Sequence, residues 1–277
     1  MDSVFARVWH KTLRVPYTLH VYRQSRVDKP KATLVFLHGL GNSGSTWESV
    51  AEGLPNDIDF LIIDLLGFGD SPAPTWAVYD AKTQAKALAK TLLVHAVRRR
   101  VILVGHSMGS LVAVEFAKRY PLLVKSLVLC SPPLYRASKD KRLLMEREEL
   151  LRWFYELVAK QPDNLARVTR LATKAGLKGD DYDVSKLNAK TYVAALRESI
   201  INQTAMEDIV KLPHPIHILY STVDMAVIGK NISRVQEASK SIVVTKFIGP
   251  HEIIGKKYTD KVTDALKQVV DSETPSD

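Results

Sequence analysis

Short apolar runs alternate with helical apolar spacings along most of the chain. Apolar residues recur at intervals of three and four over 81–96 and over 110–120, where Pro121 follows, and both segments are predicted to be helices. Strands that alternate with helices predict an α/β domain with a mainly parallel sheet covered by helices on both faces. Six runs bounded by turn residues are predicted to be buried strands, at 33–37, 60–63, 101–104, 126–129, 216–220 and 242–247.

The first residues show a different pattern. Segments 4–9 and 17–22 alternate between apolar and polar residues, and a basic turn that contains Pro16 separates them. Alternation with a period of two is typical of half-buried strands. The pattern predicts a β-hairpin at the start of the chain.

An all-helical insertion interrupts the predicted sheet. Residues 132–213 show helical patterns and no strand-like run, so we predict a core formed by 1–131 and 214–277 and a helical cap at 132–213. Ligands bind open α/β sheets at the carboxyl ends of the strands, where such an insertion sits. We interpret it as a lid, with a purely structural excursion as the alternative. Five aromatic residues of this segment could line a pocket or simply pack: Trp153, Phe154, Tyr155, Tyr182 and Tyr192.

Composition and charge exclude several classes of protein. Of the 277 residues, 46% are hydrophobic and 25% are charged, as in globular proteins. No apolar run approaches a membrane span and no secretory leader is visible at the start, so we expect a cytoplasmic protein. The net charge of +9 is concentrated in residues 1–31, where 7 side chains are basic and 2 are acidic. No nucleic-acid-binding module accompanies these cations, so they predict a solvated surface rather than a nucleic-acid partner. The single cysteine, Cys130, is predicted to be a buried strand residue.

One motif indicates chemistry. The run 101–104 leads into Gly105-His106-Ser107-Met108-Gly109, and a helical pattern follows. A G-x-S-x-G sequence between a strand and a helix is typical of a nucleophile elbow, which lifts the serine hydroxyl out of the sheet. Side chains at the two glycine positions would clash in so tight a turn, which favours the elbow over a serine-capped turn.

With the elbow and several other segments, the chain resembles the α/β-hydrolase superfamily, specifically small capped serine hydrolases such as carboxylesterases and enol-lactone hydrolases. The other segments are His38-Gly39-Leu40-Gly41, residues 64–71, Asp224 and His251, each of which follows a predicted strand. The chain order Ser, Asp, His matches that superfamily. Serine at the elbow differs from the aspartate of the haloalkane dehalogenase and epoxide hydrolase relatives.

The resemblance implies a role for each of these residues. Ser107 is the nucleophile, His251 accepts its proton and returns it to the leaving group, and Asp224 orients the imidazole. The backbone N–H groups of Leu40 and Met108 form the oxyanion hole. Four further residues are assigned to the substrate-binding surface: His38, Gly39, Trp153 and Phe154.

Other polar residues receive structural interpretations. His38 is expected to organise the oxyanion loop rather than exchange protons. Asp64 and Asp70 are expected to hold the turn after their strand. His214 and His217, which lie among prolines, are interpreted as strand-end residues rather than metal ligands. Three positions depart from the family pattern and are expected to affect loop geometry and helix packing: Ser110, Ser221 and Pro250.

The expected function is that of a cofactor-free serine hydrolase. A carboxylesterase that acts on a small or medium-sized ester through an acyl-enzyme is the main hypothesis. Hydrolysis of a lactone, a thioester or a carbon–carbon bond, and perhydrolysis, stay open because the same triad supports them all. A ligand-binding receptor is the alternative outside enzymes, because a fold does not by itself establish activity.

Overall fold

The computed structural model describes residues 4–136, 151, 188–253 and 256–272. Within these ranges the six predicted runs are strands of one seven-stranded sheet, and one further strand lies near the start of the chain. The predicted α/β class is therefore confirmed. The strands are β1 (Val21–Ser25), β2 (Ala32–Leu37), β3 (Ile58–Ile63), β4 (Val101–His106), β5 (Val124–Cys130), β6 (Ile216–Ser221) and β7 (Ile242–Phe247).

Helices connect most of these strands, and we number those of the described ranges in chain order. The two helices predicted from apolar spacing correspond to α3 (Ala81–Val94) and α4 (Met108–Arg119). The side chain of Asp80 caps α3 by accepting the backbone N–H of Thr83 at 2.7 Å. The helices are α1 (Val4–Arg7), α2 (Glu48–Glu52), α3 (Ala81–Val94), α4 (Met108–Arg119), α5 (Ala189–Ala195), α6 (Ala205–Ile209), α7 (Gly229–Ala238) and α8 (Lys256–Ser272).

Short turns of other helix types adjoin several of these helices. The helix α1 continues as the π-helical turn Val8–Thr12, and α5 continues as the π-helical turn Leu196–Ile201. The 3₁₀ turns Gly44–Trp47 and Pro121–Leu123 precede α2 and β5. In the part of the chain that the structure describes, no helix is both long and apolar enough to cross a bilayer.

The order of the strands places the candidate residues at one edge of the sheet. The order is β1-β3-β2-β4-β5-β6-β7, and β1 is antiparallel to β3 whereas all other pairs are parallel. Parallel strands end at the same edge, where ligands bind in open α/β sheets. The loops after β2, β4, β6 and β7 therefore meet.

Both faces of the sheet are buried, as the uninterrupted apolar runs predict. Alternate residues of β2 enter two separate cores: Val35 and Leu37 pack with α3 and α4, whereas Leu34 and Phe36 pack with α2 and α8. Trp47, which precedes α2, is fully buried against Phe36, with ring centroids 5.1 Å apart. Helices therefore cover both faces of the sheet beside the edge at which the candidate residues lie.

The predicted N-terminal hairpin is wrong. Residues 4–12 are helical, and the first strand, β1, begins at Val21 and pairs with β3, from Val21 opposite Ile63 to Ser25 opposite Phe60. Val4, Phe5, Val8 and Trp9 also satisfy a helical spacing, which the apparent alternation obscured. A pattern of six residues fits the period of a helix as well as that of a strand. The segment that becomes the first strand is β1, because it pairs with β3.

The described end of the predicted cap is helical and packs on the core. The Ser199 hydroxyl donates to the carbonyl of the core residue Tyr79 at 2.7 Å. The Gln203 amide donates to the carbonyl of Pro133, near the other end of the predicted cap segment, at 2.7 Å. Residues 137–150 and 152–187 lie outside the described residues, so the boundaries of the cap stay a prediction. The strands β5 and β6, which flank the insertion in sequence, are neighbours in the sheet.

Candidate active site

The candidate nucleophile lies at a sharp turn between β4 and α4. Ser107 has a φ of +50° and a ψ of −117°, a backbone conformation that residues with a side chain rarely adopt. Its backbone N–H donates to the carbonyl of Cys130 at 2.9 Å, which ties the turn to β5. Strained backbone at a functional site persists only where its surroundings hold it.

The two glycines of the motif make the close packing of this turn possible. A Cβ atom at Gly105 would lie 2.6 Å from the carbonyl carbon of Gly109, and one at Gly109 would overlap the carbonyl oxygen of Leu37. Ser110 is fully buried, and its hydroxyl donates to the carbonyl of Gly105 at 2.8 Å. This departure from the family pattern therefore adds a hydrogen bond across the elbow.

Three side chains from separate loops form one chain of hydrogen bonds. The Nε2 atom of His251 lies 3.0 Å from the Ser107 hydroxyl oxygen, and its Nδ1 atom lies 2.7 Å from a carboxylate oxygen of Asp224. All three residues are buried. An Nδ1–H that donates to the carboxylate leaves Nε2 free to accept the serine proton. The structure thus brings together the three residues that the sequence singled out for acid–base and nucleophilic roles.

The carboxylate of Asp224 receives further hydrogen bonds. Burial raises its pKa, but the charge and hydrogen bond of His251, the backbone N–H of Ala226 at 2.8 Å and the Ser131 hydroxyl together hold that pKa below the usual aspartate value. The Ser131 oxygen also lies 3.0 Å from the Tyr258 hydroxyl. Asp224 is therefore ionised and fixed in orientation beside the imidazole.

Sequence reasoning missed the contribution of Ser131 and Tyr258, and it noted Ser221 only as a departure from the family pattern. Ser221, which stands where many relatives carry glycine, donates to the carbonyl of Gly249 at 2.6 Å and accepts the N–H of the same residue at 3.0 Å. It thereby joins the loop of Asp224 to the loop of His251. Ser131 directly follows β5 and Ser221 ends β6, both at the edge of the sheet where the candidate residues meet, and that position is the signal that could have identified them.

A second buried histidine, His106, holds the backbone of His251 in place. His106 is fully buried, and its Nε2–H donates to the carbonyl of His251 at 2.9 Å. Burial lowers the pKa of His106 to about 4, although the Glu252 carboxylate, 3.9 Å from Nδ1, opposes the shift. His106 is therefore neutral near pH 7 and holds the His251 loop without adding a charge.

The loop after β2 runs beside the nucleophile. A Cβ atom on Gly39 would lie 3.3 Å from the Cβ of Ser107, so the chain before Leu40 passes directly over the elbow. Met108 is the first residue of α4, and the N–H groups of a first turn have no acceptor within their own helix. The two predicted oxyanion donors, on Leu40 and Met108, thus lie on the two segments that border Ser107.

His38 organises this loop, as expected. Its Nε2 accepts the backbone N–H of Leu65 at 2.9 Å, and its Nδ1 lies 2.7 Å from the carbonyl of Gly39. Burial lowers the pKa of His38, so the ring is neutral. Contact of His38 or Gly39 with a substrate stays a prediction. Trp153 and Phe154 lie outside the described residues, and so do Tyr155 and Tyr182, whereas Tyr192 is buried in the same hydrophobic core as Val35 and Leu37.

Asp64 holds the loop after β3, as predicted. Its carboxylate accepts the backbone N–H of Gly44 at 2.6 Å and that of Asp70 at 3.0 Å, and it lies 2.9 Å from Nδ1 of His20. Asp70 contributes its backbone rather than its exposed side chain. His20, Asp64 and Asp70 form the one group in the described ranges with metal-like spacing, but the Asp64 oxygens are occupied by these donors.

The remaining structural interpretations agree with the geometry. Nε2 of His214 lies 2.9 Å from the carbonyl of Pro121, and Nε2 of His217 lies 2.8 Å from the Thr245 hydroxyl. The two histidines therefore serve separate contacts. Cys130 is fully buried at the end of β5, and burial raises the pKa of its thiol, which makes it an inert core residue.

Comparison with known proteins gives relatives over part of the chain. The probable lysophospholipase BODYGUARD 4 of Arabidopsis thaliana is 33% identical over 124 residues, which cover 44% of this chain and 30% of the relative. The probable lysophospholipase BODYGUARD 5 of the same plant is 34% identical over 118 residues, 40% of this chain and 27% of the relative. The chain thus spans less than a third of the length of these two relatives.

Solved structures match almost the whole chain. An esterase from Thermogutta terrifontis superposes with a TM-score of 0.71 at 18% identity and covers 93% of this chain and 94% of its own. The enol-lactonase from Burkholderia xenovorans gives a TM-score of 0.72 at 17% identity, with 91% and 96% covered. At such identities the likeness concerns the fold. The family described as alpha/beta hydrolase fold matches residues 32–208. This chain therefore belongs to the α/β-hydrolase fold family.

Proposed function

We propose that this protein is a serine hydrolase that cleaves a carboxylic ester of small or medium size through an acyl-enzyme, without a cofactor. The observation that carries the proposal is the hydrogen-bonded chain from Ser107 through His251 to Asp224 at the elbow. The named esterases and probable lysophospholipases among its relatives support an ester as the substrate class.

In the first half of the reaction, the Ser107 oxygen attacks the ester carbonyl and its proton passes to Nε2 of His251. The negative carbonyl oxygen is stabilised by the N–H groups of Leu40 and Met108, and loss of one such donor typically costs about 10²- to 10³-fold in rate. Asp224 stabilises the imidazolium cation. Collapse of the intermediate breaks the ester bond, and His251 protonates the departing alcohol.

In the second half, a water molecule attacks the acyl-serine and gives its proton to His251. The tetrahedral intermediate collapses, the carboxylic acid leaves, and Ser107 recovers its proton from Nε2. The ionised state of Asp224 supports this cycle, because an anion is needed beside the imidazole each time the ring becomes a cation. The neutral His106 supports it by adding no competing charge next to His251.

We assign residues 132–213 to a helical cap that selects substrates, because every residue of the proposed catalytic set lies outside it. The rate constant kcat/KM for p-nitrophenyl esters should rise modestly with acyl length and then fall at a steric limit. Trp153→Ala or Phe154→Ala should move that maximum. An identical length profile in both folded variants would reject these residues as pocket walls, and a preference for emulsified long-chain triglycerides would reject the small-substrate cap.

A fluorophosphonate probe tests the serine mechanism directly. The wild-type protein should be labelled covalently, whereas Ser107→Ala should lose labelling and lower ester hydrolysis by several orders of magnitude with little change in Tm. A residual rate of about 10³-fold over water is expected from the oxyanion hole and binding. Ser272→Ala, which alters an exposed serine at the end of α8, serves as the control and should be labelled normally.

Wild-type turnover by folded Ser107→Ala would remove Ser107 from the mechanism. A wild-type protein that binds esters but neither reacts with the probe nor hydrolyses esters, lactones or thioesters would instead be a receptor.

A further inference from the structure

The helix α1 and the π-helical turn after it present apolar side chains to solvent. The exposed fractions are 80% for Val4, 73% for Phe5, 46% for Val8, 41% for Trp9 and 59% for Leu13. The rings of Phe5 and Trp9 stack with their centroids 5.9 Å apart. A surface helix of a globular protein normally turns its apolar side inward. These five residues, named here the N-terminal patch, therefore form an exposed apolar surface that the core does not use.

The opposite side of the same segment fixes it to the protein. The His10 ring stacks on Tyr17 at a centroid distance of 4.0 Å, and its Nδ1 lies 2.7 Å from the carbonyl of Val15. The Arg7 guanidinium lies 5.0 Å from the centre of the Trp76 ring. The segment is thus anchored through its polar and aromatic contacts, and this anchoring turns the N-terminal patch outward.

Basic residues accompany the patch. Arg7, Lys11 and Arg14 are exposed. Residues 3–27 contain five basic side chains and no Asp or Glu. Apolar anchors next to Lys and Arg, with basic residues in clear excess over acidic ones, are the composition of helices that lie in the interface of anionic membranes.

We propose that the N-terminal patch docks this protein on the surface of a bilayer that carries anionic headgroups. The aromatic and aliphatic side chains enter the boundary between headgroups and acyl chains, and Lys11 and Arg14 contact the lipid phosphates. The segment lies on the membrane and does not cross it. The patch includes none of the proposed catalytic residues, so the proposal does not depend on the chemistry at Ser107.

Charge and shape favour a bilayer over other partners. In a twofold dimer through this patch, the cations of one copy would face those of the other, which is unfavourable. Single-stranded nucleic acid would need free aromatic faces on which its bases could stack. Three of the five patch side chains are aliphatic, namely Val4, Val8 and Leu13, and the rings of Phe5 and Trp9 already stack on each other.

Cosedimentation of the full chain with vesicles tests this proposal. The wild-type protein should bind phosphatidylcholine vesicles that contain phosphatidylglycerol more tightly than pure phosphatidylcholine vesicles. Binding should weaken in 1 M salt, where the screening length falls to about 3 Å. The variant Phe5→Ser/Trp9→Ser should lose at least about tenfold in affinity. Lys11→Gln/Arg14→Gln, which spares the contact of Arg7 with Trp76, should lose about 30-fold.

Leu93→Ser/Leu122→Ser is the matched control, because these side chains are 79% and 85% exposed but lie outside the patch. This control should bind vesicles like the wild type. Absence of wild-type binding to the phosphatidylglycerol vesicles at low salt would overturn the proposal. Binding that is unchanged in both patch variants would also overturn it. So would self-association of the wild type that vesicles do not affect and that Phe5→Ser/Trp9→Ser abolishes.

Discussion

Around Ser107 the backbone itself sets the geometry, whereas around Asp224 and His251 side-chain hydroxyls do so. At the elbow, a strained φ and two glycines without room for a Cβ atom hold the serine between β4 and α4. On the other side, Ser131 and Ser221 bond the Asp224 carboxylate and the Gly249 backbone. Close backbone packing tolerates almost no substitution, and hydrogen bonds can be removed one at a time. The two halves of the site should therefore respond differently to mutation.

The largest effect is expected on the hydrogen-bonded side, at the proposed acid. Asp224→Asn removes the charge and favours the wrong imidazole tautomer without leaving a void, so kcat should fall by about 10⁴-fold. The KM should change much less. Steady-state kinetics with a p-nitrophenyl ester measures both constants.

Asp64→Asn is the control for this substitution. It should act mainly on stability, because Asp64 accepts backbone N–H groups of the neighbouring loops. If both proteins fold and only Asp64→Asn loses turnover, the assignment of Asp224 is wrong.

On the backbone side, Gly109→Ala should destabilise the fold by about 4 kcal/mol, because its Cβ would overlap the carbonyl oxygen of Leu37. Gly53→Ala is the matched control. Gly53 has a helical φ of −86°, and a Cβ there would lie 3.3 Å from a methyl group of Thr263. Urea unfolding compares the two variants. Equal stability of Gly109→Ala and wild type would contradict backbone positioning of Ser107.

Acidification tests the buried histidine that joins the two halves. The pKa of His106 is about 4 in the folded protein, because of burial, and about 6.5 in an unfolded chain. The contribution of neutral His106 to the free energy of unfolding is complete above about pH 6.5. It is lost as the pH falls to about 4, since only the unfolded chain takes up a proton in that range. The loss should be about 3 kcal/mol. His38 and His217, whose pKa values are also lowered by burial, act in the same direction.

The variant His106→Gln should show a shallower decline in stability between pH 6.5 and pH 4 than the wild type. Urea unfolding at a series of pH values measures that decline. A slope equal to the wild-type slope would show that His106 does not contribute to it.

The smallest effect is expected for a single hydroxyl. Ser131→Ala removes one donor from the Asp224 carboxylate, so kcat should fall about tenfold with little change in KM. Ser126→Ala is the control, because Ser126 is buried and its hydroxyl has no hydrogen-bond partner among the described atoms. An equal kcat for both variants would remove Ser131 from the positioning of Asp224.

Much of the fold follows from local pattern. The six runs predicted as strands needed only their apolar composition and their turn residues, because a parallel strand covered on both faces must be apolar throughout. The elbow could be predicted as well, because Gly105, Ser107 and Gly109 lie within five consecutive residues and the two glycine positions have no room for a Cβ atom. The loop role of Asp64 could also be predicted, because short acidic side chains satisfy nearby backbone groups.

The sequence by itself determined six of the seven strands, the elbow and the chain order of Ser107, Asp224 and His251. Only the tertiary structure decided that α1 replaces a hairpin and that Ser131, Ser221 and Tyr258 hold the acid and the histidine. The physical reason is distance along the chain. A steric rule or a hydrophobic period acts within a few residues, whereas the partners of Ser131 and Ser221 lie 127 and 28 residues away and meet only when the strands align.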